Sequence, residues 1–316
     1  MIKNIFLSIA ALCCVMAGSA AQYNDLKTIQ SGGVERQYFL YVPTNLKPNS
    51  PMFISCHGMN QDYQYQKTQM RWMPLMADTA SFVVVFPVGI EGTAWGQPYT
   101  TGWNINDMTD VNFMLDIIDE VKTDYNIDDT RVYMSGFSLG GVFAYYMAQK
   151  APDRIAAVVS FSGYDLTGAS ISCSRPIPIF HLHGTSDNIM DYDGVENYLK
   201  KWALAQNCQE VPVEWTDHDI SYTKYTVPDC EVEIILASVS GIGHDWKSYF
   251  ATGSPYYHLV DDLWAFCKQY NTGCGKIHVG LDDVTVDTKT TKRLEDGQLL
   301  IDRDDKTYNA QGTQVK

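Results

Sequence analysis

The chain has 316 residues, 45% of them hydrophobic, with 37 acidic side chains against 23 basic ones and a formal net charge of −14. That length allows one large domain or two small ones around a sizeable core, and the acidity leaves nothing to neutralise a phosphate backbone, which excludes nucleic acid as a partner. Beyond the N-terminus no apolar run reaches the roughly 18 residues that a membrane span needs, so the charge speaks chiefly for solubility.

The first 21 residues read as an address label. Lys3 is followed by an apolar run from Ile5 to Met16 and then by Ala17, Gly18, Ser19, Ala20 and Ala21, the pattern of a secretory signal cleaved after Ala21. The expected destination is the cell exterior, the periplasm or the cell surface. Cys13 and Cys14 are preceded by Leu12 and Cys13, not by the small residue of a lipoprotein signal, which argues against a lipid anchor. Removing the leader takes two of the eight cysteines and leaves Cys56, Cys173, Cys208, Cys230, Cys267 and Cys274. An even set in a chain bound for an oxidising compartment suggests disulfides. Many pairings are open; proximity favours Cys208 with Cys230 and Cys267 with Cys274, whereas Cys56 sits in an apolar run as a small buried hydrophobe.

From residue 34 onward, short apolar strands alternate with helical patterns, which predicts a mostly parallel sheet covered by helices on both faces. Strands are expected at 34–42, 52–55 and 82–87, with a helix over 66–79 between the last two. A helix over 109–125 turns Val111, Leu115, Ile118 and Val121 inward and leaves Asp110, Asp116, Asp119 and Glu120 mostly toward water. Then follow a strand at 131–137, a helix at 139–149, strands at 155–161 and 177–183, a helix at 195–206, a strand at 232–239 and a closing helix at 254–270. After Cys274 the composition turns to Thr, Asp and Lys. The expected domain is therefore 22–274, and 275–316 is a tail that carries a short hairpin through 298–302 and 306–308 or serves export.

Gly136, Phe137, Ser138, Leu139 and Gly140 form GxSxG between a predicted strand and a predicted helix, the context in which that motif marks a nucleophilic serine on a sharp turn of an α/β-hydrolase fold. A serine hydroxyl needs a base to take its proton and a carboxylate to orient that base. The chain order Ser, Asp, His is met by Asp187, in the turn after the strand 177–183, and His244, just beyond the strand 232–239. Asp191 and Asp193 compete for the acid's role. Among the other histidines, His218 and His258 suit surface or packing roles, and His181 and His183 suit hydrogen-bonded core roles. Backbone donors for the oxyanion are expected from Leu139, first in its helix, and from Met59 in the loop after the strand 52–55, with His57 bracing that loop and Asn60 a substitute. This chemistry requires no metal and no organic cofactor.

Cys56-His57-Gly58, Trp103-Asn104, Asp110-Val111-Asn112-Phe113, Arg131-Val132-Tyr133, the GxSxG run, His183-Gly184-Thr185-Ser186-Asp187 and Gly243-His244-Asp245-Trp246 resemble a family of exported esterases. That family unites poly(3-hydroxybutyrate) depolymerases with feruloyl and acetylxylan esterases, and the resemblance spans about residues 34–270. It implies an α/β-hydrolase with Ser138, Asp187 and His244 as triad, and it adds to the case for pairing Cys208 with Cys230. Met59 departs from a position where relatives often carry cysteine, and Lys247 from one where proline often follows the tryptophan; both departures bear on substrate, not on the triad. Trp103 and Trp246, with Trp95 and Tyr99, could line a wall for a sugar face or a cinnamoyl ring. The expected function is a secreted carbohydrate esterase acting on feruloyl or acetyl groups of xylan. The alternatives are a polyester depolymerase, a general short-chain esterase, a peptidase, or a glycan-binding module that kept the fold without catalysis.

Overall fold

A computed structural model of the protein describes residues 23–209, 211–245, 247–250, 253–273 and 275–277, together with strands within 291–309. The expected signal segment, Trp246 and Cys274 lie outside the described residues. Strands β1 (Tyr23–Ser31), β2 (Val34–Val42), β3 (Met52–Cys56) and β4 (Val83–Pro87) precede a small hairpin of β5 (Ile90–Ala94) and β6 (Gln97–Gly102). They are followed by β7 (Val132–Phe137), β8 (Ala157–Phe161), β9 (Ile179–Gly184), β10 (Val213–Asp217), β11 (Ile220–Val227) and β12 (Val232–Val239). The helices are α1 (Tyr63–Gln69), α2 (Trp72–Ala80), α3 (Thr109–Tyr125), α4 (Leu139–Lys150), α5 (Tyr192–Ala205), α6 (Lys247–Phe250) and α7 (Leu259–Cys267).

One ten-stranded sheet runs β1-β2-β4-β3-β7-β8-β9-β12-β11-β10. Its centre, from β4 to β12, is parallel, and both margins are antiparallel. The central strands β3, β4, β7, β8, β9 and β12 are buried along their whole length, which is why they read as continuous apolar runs. Successive side chains point to opposite faces, so Met52 and Ile54 pack with α3, α4 and α5 in one core, while Phe53 and Tyr133 pack with α2, α6 and α7 in the other.

Four differences from the expected elements have local causes. The helix expected over 66–79 is two helices, because Pro74 in the first turn of α2 has no N–H and its ring would clash with the Met70 carbonyl of a continuous helix. The closing helix begins at Leu259, and residues 254–258 form turns with i to i+3 bonds such as Tyr257 N–H to Ser254 O. Asp110 does not face water: it is buried and paired with Arg36 at 2.8 Å. Strands β1, β5, β6, β10 and β11 were not among the expected elements; β10, for instance, is exposed along its whole length, and its Val213-Glu214-Trp215-Thr216 alternation is too short to mark a strand.

The sulfurs of Cys208 and Cys230 are not bonded to each other, yet both pack against the second core. Burial, and then the nearby Cys230, push the Cys208 thiol up to about 11. Cys267 is a buried thiol in α7. Residues Ile277–Lys316 form a separate unit with an antiparallel meander of β13 (Thr291–Glu295), β14 (Gln298–Arg303) and β15 (Lys306–Asn309); the expected hairpin is its second half.

Candidate active site

The carboxyl ends of β3, β7, β9 and β12 deliver the candidate residues to one edge of the sheet, where ligands bind in open parallel sheets. Ser138 stands between β7 and α4 with φ 53° and ψ −121°, a conformation that costs a non-glycine residue on the order of 1–3 kcal/mol and persists only where its surroundings impose it. They do so here. Its amide donates to Phe161 O at 2.9 Å. A Cβ on Gly136 would lie 2.3 Å from the Gly140 carbonyl carbon, and one on Gly140 would lie 2.3 Å from Cys56 O. Glycine at these positions lets the helix start close against the strand and against the loop that follows β3.

That close approach sets the start of α4 against the loop after β3, the two segments that carry the expected oxyanion donors Leu139 and Met59. The Leu139 amide, first in α4, has no intrahelical acceptor, and among the described residues neither it nor the Met59 amide donates a hydrogen bond. The Met59 loop is braced from below. The buried His57 ring accepts from Gly89 N–H through Nε2 at 3.0 Å and contacts Gly58 O through Nδ1 at 2.8 Å. Burial holds His57 down to about 4, so it is neutral and suited to bracing, as expected.

His244 and Asp187 meet: Nδ1 of His244 donates to Asp187 Oδ2 at 2.7 Å. The other carboxylate oxygen accepts the amides of Ile189 and Met190, each at 3.0 Å. Burial favours the protonated acid, but the hydrogen bond and charge of His244 and those two amides outweigh it and hold Asp187 below the usual carboxylate range. The His244 ring lies 4.7 Å from that of Phe137, the residue before Ser138, with its side chain 11% exposed. Asp191 instead caps α5, accepting from Asp193 N–H.

Beneath Asp187 lies a buried chain of polar contacts: Tyr145 Oη to His181 Nδ1 at 2.8 Å, His181 Nε2 to His183 Nδ1 at 2.9 Å, and His183 Nε2 to Met190 O at 2.8 Å. His183 Nε2 also lies 3.4 Å from Asp187 Oδ2. Burial lowers both histidines, so the chain is uncharged and fixes the turn that holds Asp187. The core placement of His181 and His183 was legible in the strand; their link to the Asp187 turn was not, because it ends on the Met190 carbonyl, a backbone group that no residue type marks.

Trp103 is a correction. It is fully buried, donates its indole N–H to His57 O at 2.7 Å and stacks on Phe143 at 5.4 Å, so it supports the Met59 loop and offers no face to a substrate. Tyr99 is likewise buried. Trp95 borders a cavity of about 280 Å³ beside Val142, Tyr145, Tyr146 and Tyr198.

The phospholipase/carboxylesterase family model matches residues 33–227. Among curated proteins, the chain is 37% identical over 253 residues to a bifunctional acetylxylan esterase/xylanase of Neocallimastix patriciarum, covering 78% of this chain and 35% of that protein. It is 28% identical over 216 residues to feruloyl esterase B of Piromyces equi, covering 62% and 39%; the chain thus spans little more than a third of either relative. An acetyl xylan esterase structure from Aspergillus awamori shares the fold, with a TM-score of 0.56 at 14% identity over 74% of this chain and 98% of that one. With the family match over residues 33–227 and a mostly parallel sheet carrying GxSxG at the turn from β7 to α4, the chain belongs to the phospholipase/carboxylesterase family of α/β-hydrolases.

Proposed function

We propose that the protein is a secreted serine carboxylic-ester hydrolase that removes feruloyl or acetyl groups from xylan-type polysaccharide, with Ser138, His244 and Asp187 as its triad. The observation that carries the reading is the Asp187–His244 hydrogen bond of 2.7 Å, set beside a serine held in a positive-φ turn at the head of α4. Asp187 keeps Nδ1 of His244 protonated, so Nε2 bears the lone pair that takes the Ser138 proton. The serine oxygen bonds to the ester carbonyl carbon, and the carbonyl oxygen gains negative charge facing the amides of Leu139 and Met59. Collapse breaks the bond to the sugar oxygen, which leaves with the proton from His244. Water, deprotonated by His244, then attacks the acyl-enzyme; the free acid departs and Ser138 regains its hydrogen.

The substrate class rests on the acetylxylan and feruloyl esterase relatives. The alternative of a polyester depolymerase uses the same triad, and a glycan-binding module would use none of it. Side-by-side kcat/KM on methyl ferulate, acetylated xylan and poly(3-hydroxybutyrate) tests the reading. Faster turnover of methyl ferulate and acetylated xylan supports it; faster polyester hydrolysis overturns the substrate class, and no hydrolysis of any ester overturns the enzyme.

A further inference from the structure

Away from the triad, the β10–β11 turn meets the start of α7. One donor atom each from Asp217, His218 and His258 lies within 4.8 Å of the other two. The two imidazole rings sit 4.7 Å apart at 40°, and His218 Nδ1 is 2.7 Å from Asp217 Oδ1. We propose that these residues bind one divalent metal ion of the zinc class, joining the β10–β11 turn to the N-terminal end of α7.

The tautomers favour it. His258 Nδ1 lies 3.1 Å from the Pro255 carbonyl, which can only accept, so Nδ1 carries the proton and Nε2 the lone pair. Among the described residues that Nε2 is shielded from solvent and has no hydrogen-bond partner, an arrangement that leaves a buried acceptor unsatisfied unless something binds it. A backbone carbonyl on the far nitrogen is the usual way a protein orients a ligating histidine. Asp217 Oδ1 and His218 Nδ1, 2.7 Å apart, face one point, so an ion that displaces the proton between them takes both as ligands beside His258 Nε2. Two imidazoles and a carboxylate suit zinc-class ions, which at about 2.0–2.2 Å from each donor require only small side-chain rotations from the present spacing.

The placement has a consequence for the chain around the triad. Ile220, which closes the turn, pairs with Val239, the last residue of β12 before the loop to His244. An ion here would tie that sheet margin to the segment following His244, without entering the site of reaction.

The test is calorimetric titration of Zn²⁺ into tag-free, chelator-stripped protein, with His244→Ala included so that uptake at the triad is counted separately. One saturable equivalent in the wild type and in His244→Ala, lost in both His218→Ala and His258→Ala, is the expected result. No saturable uptake by the wild type, or uptake undiminished in either of the latter variants, overturns the proposal. His218 is two-thirds exposed in a surface turn, so its variant keeps the fold and decides the matter even if His258→Ala does not fold.

Discussion

Ser138 and Asp187 hold their positions through backbone interactions: the serine is fixed by the bond from its amide to Phe161, and the aspartate by two amides of its own turn. On the proposed mechanism, substituting either side chain therefore removes chemistry with little loss of fold. Ser138→Ala should lower kcat on methyl ferulate by about 10⁴- to 10⁶-fold, and Asp187→Asn by about 10⁴-fold by leaving His244 in the wrong tautomer, with thermal unfolding of the serine variant within a few degrees of wild type. Near-normal turnover by either variant would remove that residue from the mechanism. Their placement at the carboxyl edge of the sheet was legible in the sequence because GxSxG is local and Asp187 follows directly on a strand. Trp103 was misread for the opposite reason: an aromatic residue near a site has the same hydropathy whether it faces substrate or braces a loop, and only the bond to His57 O distinguishes them.

Among the elements, the contact of α4 with the loop after β3 carries the proposed oxyanion geometry. Gly140→Ala places a methyl group 2.3 Å from Cys56 O; backbone must move, so a loss of about 1–3 kcal/mol in stability is expected together with a fall in kcat larger than any rise in KM. A variant equal to wild type in both would show that the helix can shift without disturbing the donors. The alternation of strands and helices predicted this packing, but Pro74 splitting a helix was passed over because the apolar spacing continues across it. Asp110 was placed toward water by periodicity alone; its partner Arg36 is distant in sequence and stacks on Phe113 at 4.0 Å, a contact no helical pattern encodes. Cys208 and Cys230 remain a proposed pair, supported by their nearness across the end of β11. Peptide mapping of secreted, non-reduced protein should find them joined, a link worth about 3 kcal/mol in the chain-entropy picture; alkylation of both thiols would refute it.

On the scale of the whole molecule, three buried histidines beneath the site link stability to pH. His57 is held at about 4 against about 6.5 when unfolded, so between those values the unfolded chain binds the extra proton and stability rises with pH. Acidification from pH 6.5 to 4 should cost about 3 kcal/mol through His57, with His181 and His183, also lowered by burial, adding to the loss. Denaturant midpoints across that range should fall for wild type and fall less steeply for His57→Gln; parallel curves would contradict the assignment. The parallel centre of the sheet was legible because strands buried on both faces must be apolar, whereas β1, β10 and β11 at its antiparallel margins, with many exposed or half-buried positions, gave no such signal. Through these margins and cores the sheet holds Ser138, Asp187 and His244 at one edge, and covalent capture of the nucleophile tests that claim most directly. Treatment with a fluorophosphonate, followed by peptide mass mapping, should place a single adduct on Ser138 and abolish hydrolysis of methyl ferulate in proportion to labelling. An adduct on another residue, or full hydrolysis by protein labelled at Ser138, would contradict it.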